Sequence, residues 1–130
     1  MIVVDASVLA PALGDAGSSG RRARARLSDD ELAAPDLIDL EVVSVYRGLV
    51  RAGRMDVDRA TRALADLAAL PIERSSHRLL ARRCWEVRDN LTPYDAAYVA
   101  LAELLDAVLV TADIRIGRAP GLGCDVEVLS

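Results

Sequence analysis

Apolar residues open the chain. Ile2-Val3-Val4 is a short β-branched run of the kind that is buried on both faces of a parallel sheet. Residues 7–13 read as a short helix in spite of Pro11, and Gly14 to Gly20 as a loop that leads into a basic helical stretch, Arg21–Leu27. Leu32-Ala33-Ala34 predicts a short strand, closed by Pro35. From Leu37 the apolar positions Leu40, Val43, Val45 and Leu49 recur at roughly helical spacing until Gly53, a natural residue just past a helix end. Asp56 or Asp58 opens the next helix, in which Ala60, Leu64, Leu67 and Leu70 recur until Pro71. Ile72 begins a short linking strand, and Ser75 or Ser76 caps a helix running to about Asn90. Thr92-Pro93-Tyr94-Asp95 has the order of a helix start, with Thr as N-cap, Pro at the first helical position and an acid shortly after. That helix runs to Leu105, and Ala107–Val110 and Val126–Leu129 supply two further strands. Helices alternating with short apolar strands predict an α/β/α sandwich around a mostly parallel central sheet. A length of 130 residues, without repeats or low-complexity tracts, suits one domain over residues 1–130.

Composition changes this picture in a few places. The hydrophobic fraction is 52% with three Tyr, one Trp and no Phe, so the core is built from Ala, Leu and Val. The net charge is −4, yet all 16 basic residues are Arg and lysine is absent. An acidic total argues against a general nucleic-acid coat protein, whose affinity comes from neutralising phosphates. It leaves room for an enzyme that gathers carboxylates in one pocket and places Arg elsewhere. Cys84 and Cys124 match no zinc spacing and read as small buried side chains in a reducing compartment. No stretch approaches the ~18 apolar residues of a membrane span. Met1-Ile2-Val3-Val4-Asp5 lacks the basic start of a signal peptide, so a cytoplasmic protein with no membrane partner is expected.

Two predicted strands carry an acid just past their ends: Asp5 after Ile2-Val3-Val4, and Asp113 after Val108-Leu109-Val110-Thr111-Ala112. In parallel sheets, sites form outside the carboxyl ends of the strands, so these acids are expected on one edge. Asp95 sits in the first turn of a helix, where backbone N–H groups and the macrodipole favour a carboxylate. Glu41 stands in the apolar stretch Ile38-Asp39-Leu40-Glu41-Val42-Val43, a costly place for a charge without a partner. Each acid also has a local role open to it, Asp5 and Asp113 as N-caps and Asp95 in a capping box. Asp36 and Asp39 read as first-turn helix acids. Together the acids favour hydrolysis assisted by a hard cation. Mg²⁺ and Mn²⁺ prefer carboxylate and water oxygens, and phosphodiester cleavage needs several acids to place them. The single histidine, His77, lies beside Arg78 in a polar stretch and reads as surface.

The same residues carry a resemblance that spans essentially the whole chain. Ile2-Val3-Val4-Asp5-Ala6-Ser7 resembles the start of a PIN domain, the fold of the VapC toxins of bacterial toxin–antitoxin pairs. So do Ala34-Pro35-Asp36-Leu37 leading to Glu41-Val42, the run from Leu91-Thr92-Pro93-Tyr94-Asp95 to Tyr98-Val99-Ala100-Leu101-Ala102, and Leu109-Val110-Thr111-Ala112-Asp113. The resemblance implies that Asp5, Glu41, Asp95 and Asp113 are catalytic acids binding one or two Mg²⁺ or Mn²⁺ ions, with Ser7 and Thr111 helping to orient them. It implies an endoribonuclease that cleaves single-stranded regions of tRNA or rRNA and leaves a 5′-phosphate. It also implies a homodimer inhibited by a small cognate antitoxin protein. The chain departs mildly from the family at Asp113-Ile114-Arg115, where a polar or basic residue often follows the acid directly. Arg115, one position later, is a candidate RNA contact.

Arg21, Arg22, Arg24 and Arg26 form one basic cluster, and Arg74, Arg78, Arg82, Arg83 and Arg88 another. Arg78 and Arg82 fall on one predicted helical face and are further candidate RNA contacts, with a solvated surface as the plainer alternative. Ala- and Leu-rich faces across Leu40–Leu49 and Ala60–Leu70 offer an antitoxin helix a surface, or serve only as core. Phosphoryl-transfer domains with an aspartate nucleophile also put an acid after their first strand, but they need a lysine. Two alternatives stay open: a PIN nuclease of RNA processing or decay, and a catalytically inactive RNA- or protein-binding module.

Overall fold

The strands β1 (Ile2–Val4), β2 (Leu32–Pro35), β3 (Ile72–Ser75), β4 (Val108–Thr111) and β5 (Val126–Val128) pair into one sheet in the computed structural model, which describes residues 1–130. All pairs are parallel, in the order β3-β2-β1-β4-β5. β1 is central, and Ile2, Val3 and Val4 are all buried, as a continuous apolar run requires when both faces are covered. The chain lays β2 and β3 to one side of β1, then crosses to place β4 and β5 on the other. The strand order therefore reverses between β1 and β4, whose register pairs Val4 with Val110.

Seven helices cover the sheet: α1 (Ala6–Gly14), α2 (Ser18–Leu27), α3 (Ile38–Arg51), α4 (Val57–Ala69), α5 (Ala81–Glu86), α6 (Pro93–Leu105) and α7 (Ile114–Arg118). α6 lies across β1, β2 and β4 with α5 packed on it, while α1 packs with α2, α3 and α4. This is the α/β/α sandwich expected from the pattern. α6 buries Ala96, Ala97, Ala100 and Ala102, whose single methyl groups bring its axis close to the sheet. The largest core side chains are Tyr46 and Tyr98. The buried Tyr46 hydroxyl donates to the carbonyl of Ala10 at 2.6 Å, and burial pushes its phenol up to about 12.

Several helix ends follow the expected chemistry. Thr92 caps α6 by accepting the Asp95 N–H, with Pro93 at its start. Of the two candidates for the start of α4, Asp56 is the cap, accepting the Asp58 N–H at 3.2 Å. Gly53 closes α3 with φ 71°, and Arg54 N–H reaches back to the Leu49 carbonyl. No helix is long and apolar enough to cross a membrane.

Three expectations need correction. α2 begins at Ser18, so the loop predicted to Gly20 is only Asp15–Gly17. The Asp15 carboxylate accepts the N–H groups of Gly17 and Gly20, which pulls the helix start forward. Gly20 is required there, because a Cβ would sit 1.8 Å from the Asp15 carbonyl oxygen. The helix predicted from Ser75 or Ser76 to Asn90 is instead a 3₁₀ turn, His77–Leu79, capped by Ser76, followed by the short α5. Its apolar residues make no single stripe: Leu80 and Val87 are buried while Leu79 and Trp85 are exposed. Cys84 and Cys124 are free thiols that are only half-buried, and burial pushes both pKa values up.

Candidate active site

β1 and β4 end side by side, and candidate site hydroxyls and acids lie at or just beyond their ends. Asp5 caps α1, accepting the Ser7 N–H at 3.0 Å and the Ser7 hydroxyl. Its other oxygen accepts the Thr111 hydroxyl at 2.6 Å. Thr111, fully buried at the end of β4, also accepts the Asp113 N–H at 3.0 Å. Ser7 in turn accepts the Ala112 N–H at 2.8 Å. Ser7 and Thr111, the two hydroxyls singled out in the sequence, both donate to Asp5. One hydroxyl pair couples Asp5 to the backbone that carries Asp113. Asp5 and Asp113 are at once N-caps and candidate site acids, so the two roles do not compete.

Glu41 arrives from α3 and Asp95 from α6. The Tyr98 hydroxyl donates to Glu41 Oε1 at 2.5 Å, tying the two helices together at the site edge. Tyr98 is the residue that reading the sequence missed. It lies three positions after Asp95, on the same side of a helix, and that spacing was the available signal. α3 is itself braced by a two-pronged ion pair from Arg74 to Asp39, at 2.8 Å on each oxygen. His77, exposed as expected, accepts the Leu37 N–H at 2.9 Å just ahead of α3. Asp39 is a first-turn acid of α3, but Asp36 lies outside the helix.

The electrostatics separate Asp113 from the other acids. Burial raises the pKa of Asp5 most, against the lowering effect of its three donors, and the charge of Asp95 raises it further. Glu41 is raised by burial and by the charges of Asp95 and Asp5, with Tyr98 opposing. Asp95 is raised by burial and by Asp113, and lowered by Thr92 and Arg115. Each carboxylate thus feels at least one other across the pocket. Asp113 alone is lowered, because Arg115 grips both its oxygens through the Nε–Nη2 edge of the guanidinium, at 3.1 and 2.7 Å. Arg115 itself is 81% exposed.

The four acids share one edge of the sheet, but no three of them are gathered tightly enough in this arrangement to enclose an ion. Arg115 occupies both oxygens of Asp113, and Tyr98 holds one oxygen of Glu41. The other Arg candidates divide. Arg78 lies in the 3₁₀ turn and Arg82 in α5, so they do not share the continuous helical face expected, although both are exposed. Arg24 and Arg26 are spent on internal contacts, to backbone carbonyls and to Glu127 and Asp30, and Arg83 on Glu103.

Residues 2–122 match the PIN domain family. Ribonuclease VapC9 of Mycobacterium tuberculosis is 40% identical over 129 residues, which is 99% of this chain and 98% of the relative. This chain belongs to the PIN-domain family, among the VapC ribonucleases. Its fold is also that of VapC20 of M. tuberculosis, described as a sarcin–ricin loop cleaving toxin. The TM-score is 0.71 over 95% of this chain and 98% of that one, at 14% identity. VapBC2 from Rickettsia felis, solved on a DNA fragment from its promoter, aligns over 100% of both chains with a TM-score of 0.66 and 14% identity.

The raised pKa of Asp95 makes a stability prediction with a definite sign. The folded state holds this proton more tightly than the unfolded chain, whose Asp titrates near 3.8. Stability therefore falls as pH rises from that value through the raised one, and the full cost is present above it. In a chelating buffer near neutral pH, Asp95→Asn should melt at a higher temperature than the wild-type chain. The gap should close toward about pH 4, where the wild-type carboxyl regains its proton. Melting curves across pH check this; an Asn variant that melts lower near neutral pH contradicts it.

Proposed function

We propose that this VapC-family chain is a metal-dependent endoribonuclease acting as the toxin of a toxin–antitoxin pair, with Asp5, Glu41, Asp95 and Asp113 as its catalytic acids. The observation that carries the reading is their placement at the sheet edge where strand order reverses between β1 and β4. The donor set fits a hard divalent cation, since it offers carboxylate oxygens and neither histidine nor cysteine. Three of its members stand above the ordinary carboxylate range through burial and mutual repulsion. A positive ion would relieve that field.

The four acids would hold Mg²⁺ or Mn²⁺, which when bound supplies an activated water and neutralises phosphate charge. The residues of the chain set the geometry. Ser7 and Thr111 aim Asp5 by donating to it from two sides, which partly offsets the burial that raises its pKa. Tyr98 fixes Glu41 through one oxygen and leaves the other free to accept a proton. Hydrolysis adds water across the phosphodiester, and departure of the 3′ oxygen leaves the 5′-phosphate that the family resemblance implies. Single-stranded tRNA or rRNA is the expected substrate class, and Arg115, Arg78 and Arg82 are exposed cations at hand for its backbone.

Asp5→Asn should keep the fold and lower cleavage of single-stranded RNA on the order of a hundredfold or more, as removal of one charge-stabilising partner does elsewhere. The assay is end-labelled RNA with Mg²⁺, Mn²⁺ or chelator. Near-full metal-dependent activity in the variant would remove Asp5 from the site.

Arg115 grips a proposed metal-binding acid, so it competes with a cation for Asp113. Arg115→Gln should lower the Mn²⁺ concentration that half-maximally raises the melting temperature. It should also weaken RNA binding. A shift to higher Mn²⁺ concentration would show that Arg115 assists the cation instead.

The α3–α4 hairpin is the proposed antitoxin surface. Between these helices lies a recess of about 260 Å³ that includes Val43, Val50, Val57 and Leu64. Val43 is 42% exposed, whereas Leu64 is partly buried against the core, so Val43 is the cleaner probe. Val43→Arg should weaken inhibition by the co-expressed antitoxin about tenfold or more while cleavage persists. Expression of this chain alone should slow growth, and the neighbouring small gene should restore it. A nuclease that is active in vitro yet harmless alone would favour a role in RNA processing.

A further inference from the structure

Few aromatic residues are available to this chain, and half of them are left in solvent at one place. There are three Tyr and one Trp. Tyr46 and Tyr98 are buried, but Trp85 is 67% and Tyr94 64% exposed. Both exposed rings line the same groove of about 510 Å³, floored by Leu37, Leu80 and Pro93. That volume lies within the usual range of ligand sites, about 300–1,000 Å³. An exposed apolar patch of this kind marks a contact site, because folding alone gains nothing from it.

The rim and the position of the groove indicate what it contacts. His77 and Arg88 border it, and the Arg88 guanidinium lies 4.3 Å from the centroid of the Trp85 ring. The groove runs into the acidic site: Leu37 and Tyr94 also line the adjoining recess that holds Ala6 and Glu41. Tyr94 immediately precedes Asp95 on α6. Flat rings beside a cation and close to a phosphodiester-cleaving centre match an unstacked base and its phosphate. A second copy of this chain would cover the apolar rings, but it offers no reason for a guanidinium on the rim or for continuity with the acids.

We propose that this groove is a base-stacking subsite, in which Trp85 and Tyr94 take an unpaired nucleobase of the RNA near the scissile phosphate and Arg88 meets its backbone. The proposal rests on the ribonuclease reading above and adds a source of strand selectivity. Bases in a duplex are already stacked and cannot enter.

Trp85 is the only tryptophan, so intrinsic fluorescence reports on the groove directly. The probe is a mixed-sequence single-stranded RNA of about ten nucleotides, within the span of common single-strand sites, titrated into the uncleaving Asp5→Asn chain. Its emission should change and saturate with the single strand and respond far less to the matching duplex. In the otherwise wild-type chain, Trp85→Ala and Tyr94→Ala should each raise KM for that strand about five- to a hundredfold with kcat little changed. Trp85→Phe should retain most of the affinity. Both side chains are exposed, so the variants should melt like the wild type. Emission blind to RNA, or an unchanged KM in folded variants of a chain that still cleaves, overturns the subsite and leaves the ribonuclease reading standing. Emission that follows protein concentration, with Trp85→Ala turning a dimer into a monomer, assigns the groove to a second copy and also overturns it. A wild-type chain that cleaves no RNA defeats the ribonuclease reading, while the titration still decides the groove.

Discussion

A carboxylate buried where two parallel strands end must be surrounded by donors or it will take a proton. Asp5 is 5% exposed, and an unpaired charge at such a depth costs several kcal/mol. Its donors come from Ser7, in the first turn of α1, and from Thr111, more than a hundred residues away. Thr111 can reach Asp5 only when β4 lies directly against β1 with Val110 opposite Val4. That neighbourhood is also what reverses the strand order and opens the sheet edge. The topology that creates a crevice for a substrate is therefore the topology that makes Asp5 tolerable as an anion. Stability and chemistry make one demand here, and the hydroxyl network satisfies both.

Much of this was legible in the sequence because the signals were local. The strand end at Asp5, the capped start of α6 and the closing Gly53 depend on residues within a few positions of one another. The parallel sheet followed from short β-branched runs alternating with helical periodicity. What escaped depends on contacts across the chain. The early start of α2 comes from Asp15 accepting N–H groups beyond the loop, and a run of Gly and Ser gives no periodic sign of it. The stretch after Ser76 has apolar residues enough for a helix, but they face two ways, and burial of Leu80 and Val87 breaks it into a turn and α5. Tyr98 was hidden for the same reason. In an Ala-rich helix it reads as core, and only the position of Glu41 on α3 shows that its hydroxyl serves the site.

The absence of lysine takes on meaning once the arginines are sorted. Arg24, Arg26, Arg74 and Arg83 act as forks that bind carboxylates or carbonyls within the fold. A planar guanidinium makes such paired contacts and an ammonium does not. A basic cluster in the sequence is thus partly internal scaffolding, and counting charges overstates the surface offered to RNA. Arg78, Arg82, Arg88 and Arg115 are among the exposed arginines. A chain with a net charge of −4 is poorly suited to coating nucleic acid. It is suited to brief engagement of one strand, with local contacts supplying the affinity that net charge does not.

The grip of Arg115 on Asp113 links these threads. With both Asp113 oxygens engaged, the acids repel one another without closing around an ion, which is the arrangement observed. Release of Asp113 would add a carboxylate to the site and free an exposed guanidinium beside it in the same movement. A substrate phosphate that draws Arg115 away would therefore favour cation binding, and a cation that claims Asp113 would favour the phosphate. Linkage requires the two effects to be equal in free energy. On this view the mild departure from the family pattern at Ile114-Arg115 would couple substrate to cation. Opening of the Arg115–Asp113 pair would leave Asp113 available beside the other acids.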